Sequence, residues 1–154
     1  MKKQMFALIA SITLCSAGWA QTSVTAPWVR ATVPQQSASG AFLQLRSSDA
    51  ARLVSVSSTL AQAAELHKME MVGQLMKMAE VDGIDLPAGQ TVHLASGGFH
   101  IMLLGLKRQL KEGDNVALTL VIERKNGKRE TVLVNAPVKP LAYVGSPGAS
   151  PMRH

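Results

Sequence analysis

Two alternating apolar runs joined by an Asn-Gly pair constrain this chain more than any other feature. Val116 to Glu123 (VALTLVIE) and Glu130 to Val134 (ETVLV) flank Lys125-Asn126-Gly127-Lys128. Asn-Gly between period-two runs is the strongest short signal for a β-hairpin, because both residues tolerate the left-handed backbone of a tight turn. The same alternation recurs upstream. Strands are expected over Val24 to Val33, Ala41 to Arg46, Arg52 to Ser57, Ala64 to Val72, Leu75 to Val81, Thr91 to Leu94 and Phe99 to Leu104. Pro27 marks an edge or bulge in the first of these. Gly73 fits a hairpin between the fourth and fifth, and Asp82-Gly83 and Pro87-Ala88-Gly89 read as turns. No long stretch keeps a helical period, and no repeat appears. Strands this short with turns this frequent predict an all-β sandwich or barrel. With 154 residues, 47% of them hydrophobic, the chain suits one domain with a real core.

The ends read differently. Lys2 and Lys3, the apolar run Met5 to Ser16, and Gly18-Trp19-Ala20 have the three-part form of a secretory signal. That run is too short for a spanning helix, so no stable membrane insertion is expected. Cys15 follows Leu14, where a lipoprotein signal needs a small residue. Cleavage after Ala20 would release a periplasmic protein without cysteine, suited to an oxidising compartment. From Pro137 onward Pro, Gly, Ser and Ala dominate, which predicts a flexible tail. The expected divisions are therefore a signal over 1–20, a domain over 21–136 and a tail over 137–154.

Several functions are excluded or disfavoured. The formal net charge is +6, but only Arg124, Lys125, Lys128 and Arg129 cluster, and they flank a turn. With aromatics at 4%, a solvated hairpin tip is the better reading than a nucleic-acid surface. There is no Gly-rich phosphate loop, Cys pair, H-E-x-x-H or G-x-S-x-G. Asp82 and Asp85 sit in a turn, where local bonding explains them better than acid–base work. A blue-copper electron carrier needs a thiolate that the processed chain lacks. The chain is not expected to be an enzyme.

What remains is the segment from Glu65 to Leu104. It holds His67, His93 and His100, and Met69, Met71, Met76, Met78 and Met102. Imidazole and thioether are neutral ligands, and thioether favours Cu(I) over Zn, Mg or Ca. In strands, side chains alternate, so His100 and Met102 share a face while Ile101 and Leu103 take the other. His67, Met69 and Met71 likewise share a face, as do Met76 and Met78. Packing is the ordinary role of any single Met in a strand. As a set, with His100 lacking a carboxylate nearby in sequence, these residues point to a soft-metal site instead. His93, in TVHLAS, reads as an exposed strand residue and not a ligand.

His67, ten residues, Met78, twenty-one residues, His100, one residue and Met102 match the H-x10-M-x21-H-x-M pattern of the periplasmic copper chaperones of the PCuAC family. Trp28-Val-Arg-Ala-Thr, Ser39-Gly-Ala-Phe-Leu, Gly97-Gly-Phe-His-Ile-Met-Leu and Leu110-Lys-Glu-Gly-Asp also resemble that family, from about Trp28 to Ala136. The resemblance implies a cupredoxin-like, Greek-key β-sandwich holding Cu(I) through His67, Met78, His100 and Met102. It also implies delivery of copper toward the dinuclear centre of cytochrome c oxidase, with an oxidase subunit or another copper chaperone as partner. Met69, Met71 and Met76 lie outside the pattern, as spare ligands or packing. A weak Cu(II) site involving His154, beside Met152, is a further expectation, with an inert frayed end as the favoured alternative. Copper storage or tolerance, and a β-sandwich interaction module with an adhesive Met patch, are the rival functions.

Overall fold

The computed structural model describes residues 21–145, so the expected signal segment and the Met152/His154 site lie outside the described residues. Ten strands form the described domain, and none of its residues is helical. In chain order they are β1 (Thr22–Arg30), β2 (Ala38–Ser47), β3 (Ala51–Ser57), β4 (Ala61–Val72), β5 (Leu75–Glu80), β6 (Ile84–Leu86), β7 (Thr91–Leu94), β8 (Phe99–Leu106), β9 (Asn115–Arg124) and β10 (Arg129–Lys139). Their hydrogen-bonded order is β5-β4-β8-β2-β1-β10-β9-β3-β6, with β7 on β2. Most neighbours are distant in sequence, as a cupredoxin-like sandwich requires. β1 and β10 join the two layers through a short parallel pairing, Val29 with Val138 and Arg30 with Lys139.

Alternation builds the core. Val116, Leu118, Leu120 and Ile122 of β9 all face inward, as do Leu66 of β4, Leu43 and Leu45 of β2, and Ile101 and Leu103 of β8. Burying apolar area on this scale supplies the main driving force for folding. Because β8 turns Ile101 and Leu103 into the core, it must turn His100 and Met102 to the opposite, outer face of the same sheet.

The expected hairpins are present: β4–β5 turns at Gly73 (φ 65°) and β9–β10 at Gly127 (φ 80°). The register of β1 against β2 shifts between Thr25 and Trp28, so Pro27 sits in a bulge. Other expectations need correction. β1 ends at Arg30, not Val33, and β6 lies unforeseen between the two turn signals, pairing with β3. Asp82 and Asp85 do not merely bond within their turn: both carboxylates reach Arg52, at 2.7 and 2.6 Å. Those partners, the hydrogen bond that Arg52 donates to Asp85 foremost, raise the Arg52 pKa above its usual value. At the basic hairpin, the turn residues and the Arg129–Glu123 pair are exposed, whereas Arg124 pairs with Glu130 in a partly buried position beside Ser47 and Thr22.

The boundary expected after Ala136 falls inside a strand. β10 continues through Pro137, Val138 and Lys139, because Val138 and Lys139 pair with β1. Pro137 stands opposite Asn115, the first residue of β9, where that ladder ends. Beyond it, Tyr143 packs edge-on against Trp28 with ring centroids 4.8 Å apart. Tyr143→Ala is expected to cost about 1 kcal/mol of stability. In a chain starting at Gln21, Trp28 is the sole tryptophan. A red shift of its emission would therefore report the lost cover, and an unchanged spectrum would contradict the contact.

Candidate metal centre

Cross-strand register assembles the site. β8 is sandwiched between β4 and β2. His67 of β4 stands directly opposite His100 of β8, and Glu65 opposite Met102. On the other flank Gly40 of β2 stands opposite Met102. Across the hairpin, Met78 of β5 stands opposite Met69, two residues along β4 from His67. Directly opposed residues of antiparallel strands project to the same face. His67, Met69, Met78, His100 and Met102 therefore share the outer face of this sheet.

The imidazoles of His67 and His100 lie with ring centroids 5.8 Å apart. His100 is 6% exposed, one of the few buried polar residues of the described domain. Its Nδ1–H donates to the carbonyl of Gly98 at 3.1 Å, which leaves Nε2 as a lone pair. That lone pair faces the Met78 sulfur at 3.2 Å. A nitrogen and a thioether that both lack a proton gain little from each other directly. The contact suits two donors aimed at one point.

His67 is arranged in the converse sense. Its Nε2–H donates to the Glu65 carboxylate at 2.8 Å. Its Nδ1 is buried and has no hydrogen-bond partner. A buried polar atom left without a partner is costly unless something else binds it. Each ring therefore has one nitrogen held by a protein acceptor and one free lone pair, the arrangement usual for histidines that ligate metals.

The surroundings explain the sequence around the site. The same Gly98 carbonyl accepts the Met69 N–H at 3.1 Å, so one glycine fixes both β4 and the His100 ring. A Cβ at Gly40 would approach the Phe42 ring to 2.9 Å. Glycine there lets Phe42 fold back toward His100, with ring centroids 6.3 Å apart. The Arg30 guanidinium lies over the Trp28 and Phe42 rings, 5.7 and 5.5 Å from their centroids. An open groove of about 400 Å³ is walled by Arg30, Gly40, Phe42, Met69, His100 and Met102.

The structure thus brings His67, Met78 and His100 into one cluster and sets Met102 on the same face along the groove. His93 stands apart on β7, exposed and opposite Gln44. Two further residues take part beside the four of the sequence pattern. Glu65 was readable, since a residue two before His67 must share its face in a strand. Met69, by sequence a spare ligand or a packing residue, shares the groove with His100 and Met102. Among the described residues no three His, Cys, Asp or Glu cluster as metal ligands.

The sequence profile of the family described as "Putative lipoprotein LpqE-like" matches residues 22–138. The chain belongs to the LpqE-like family. A curated relative in Leifsonia xyli subsp. xyli (strain CTCB07), "Putative lipoprotein Lxx21020", is 36% identical over 98 residues, 63% of this chain. The match spans 59% of that relative's length. Among solved structures, this LpqE-like chain is similar to the apo PCuAC domain from PmoF1, at 25% identity and a TM-score of 0.63, covering 79% of this chain and 95% of that one. It is also similar to apo-DR1885 from Deinococcus radiodurans, at 30% identity and a TM-score of 0.55, covering 91% of this chain and 97% of that one. The CuI form of DR1885 is 34% identical with a TM-score of 0.51, covering 77% and 76% of the two chains. The LpqE-like chain therefore has the cupredoxin-like β-sandwich of the PCuAC domains.

Proposed function

We propose that this protein is an exported copper chaperone that carries one Cu(I) ion on His67, Met78, His100 and Met102, without catalytic turnover. The observation that carries the reading is the 3.2 Å approach of His100 Nε2 to Met78 Sδ, with the far nitrogen of each histidine already held by Gly98 or Glu65. In a tetrahedral shell with bonds of about 2.0 Å to nitrogen and about 2.3 Å to sulfur, those two donors would lie roughly 3.5 Å apart. Little movement separates that pair from a ligating one. All four donors are neutral, which suits a soft monovalent ion, and the open groove suits an ion that must be handed on. The kinship with DR1885, whose CuI form is known, supports the same cargo.

Anaerobic titration with Cu(I) against a competing chromophoric chelator tests this. The expected result is one tight equivalent. Weak binding without fixed stoichiometry would instead favour an interaction module presenting its methionines as an apolar patch. Glu65→Ala should weaken Cu(I) binding about 10- to 100-fold by freeing the His67 ring, whereas Glu65→Gln, which keeps an acceptor, should cost less. Equal affinity in all three proteins would deny Glu65 that part.

The finer reading is delivery toward the dinuclear copper centre of cytochrome c oxidase. Deleting the gene should lower oxidase activity under copper limitation, with recovery on added copper. Activity unchanged at every copper level would point to storage or tolerance. The lipoprotein naming of the curated relative agrees with export. For this chain the sequence supports a cleaved signal ending at Ala20, since Leu14 precedes Cys15. Mass spectrometry of the envelope protein should find Gln21 at its start.

A further inference from the structure

The β4–β5 hairpin carries Met69, Met71, Met76 and Met78, of which the proposed ligand set uses only Met78. Register places Met69 opposite Met78 and Met71 opposite Met76. Opposed residues of an antiparallel pair have Cβ atoms about 5 Å apart on one face. The four thioethers therefore form two rungs on the face that also bears His67 and His100. The other face of the hairpin sets Glu70 opposite Lys77, an ordinary solvated pair.

Packing does not account for the outer rung. Every residue of β5 is exposed, and Met71 and Met76 are 58% and 50% exposed. Large apolar side chains held in water at the edge of a sheet bring no stability and invite association. The inner rung, in contrast, meets the site twice. Met78 sulfur touches His100 Nε2, and Met69 shares the groove with His100 and Met102. The ladder thus runs unbroken from the hairpin tip to the histidines.

We propose that Met71 and Met76 form a second, weaker soft-metal site, where a Cu(I) ion lands before crossing the Met69–Met78 rung to the inner set. The proposal rests on the copper reading of the inner site. Each move is a ligand exchange: a bond from copper to an outer thioether breaks as one to an inner thioether or imidazole forms. No electron or proton is transferred, and copper stays monovalent. The gradient follows from the donors. Two exposed thioethers completed by solvent bind less strongly than a set that includes two oriented imidazoles, that of His100 buried.

The test is an anaerobic Cu(I) titration of protein labelled at its methionine methyls, followed by NMR. The first equivalent should move the Met78 and Met102 signals, and further Cu(I) should move Met71 and Met76. The doubly substituted Met71→Leu, Met76→Leu protein keeps apolar bulk at exposed positions. It should hold its first equivalent with unchanged affinity, lose the second response, and load about 10-fold more slowly from a Cu(I)–chelator complex. Met71 and Met76 signals that stay in place under excess Cu(I), or that move before the inner ones, overturn the second site. A moved signal with an unchanged loading rate overturns its role as the landing position. Failure of the first equivalent to move Met78 and Met102 defeats the copper reading of the inner site instead, and it is read from different signals.

Discussion

His100→Ala is expected to lower the affinity for Cu(I) at least about 100-fold, more than loss of a residue that merely orients a ligand. His100 is the hub of the cluster: its Nε2 faces Met78, its Nδ1 is fixed by Gly98, and its ring lies across from His67. Removing it takes away the nitrogen that Met78 faces and the ring across from His67. Because the ring is buried near Phe42, some stability is lost as well, on the order of 1 kcal/mol, within the usual range for a single substitution. Chelator competition on the folded variant separates the two effects. His93→Ala supplies the contrast, since His93 is exposed on β7 and should leave Cu(I) affinity unchanged. Comparable losses from the two variants would put the site elsewhere on the sheet.

What the sequence made legible was local. Period two placed His100 and Met102 on one face and Ile101 and Leu103 on the other, and the burial of Ile101 and Leu103 agrees. Gly73 and Asn126-Gly127 located two hairpins because a turn is encoded in the residues that make it. The meeting of His67 with His100 was not legible from local pattern. It depends on β4 pairing with β8, and on a register that joins segments separated by three other strands. A one-residue slip there would have turned His67 into the core. Pro137 is overridden in a related way: its strand-ending signal is real, but pairing of Val138 with Val29 on β1 outweighs it. Glu65 is readable in phase, but a carboxylate is no soft-metal donor, so only its 2.8 Å contact with His67 singles it out. The exposure of Met71 and Met76 reverses the ordinary expectation for a strand methionine, and only tertiary structure reveals it.

Ile101→Ala should do the opposite of His100→Ala, one residue away. Ile101 is 0% exposed and packs in the core with Leu66, its cross-strand partner on β4. Truncation removes buried carbon and leaves a cavity, at a cost of about 3 kcal/mol. That is a large fraction of the roughly 5–15 kcal/mol typical of a domain. Urea unfolding should show a lower midpoint at an unchanged slope, since the surface exposed on unfolding is nearly the same. The folded fraction should bind Cu(I) as tightly as the unaltered protein, because the groove face is untouched. Saturating Cu(I) should also recover much of the lost melting temperature, since an ion that binds the folded state alone shifts the unfolding equilibrium. If Ile101→Ala instead cost little stability and much copper affinity, the inner and outer faces of β8 would have been exchanged. The alternation that separates fold from function along His100, Ile101 and Met102 would then be wrong.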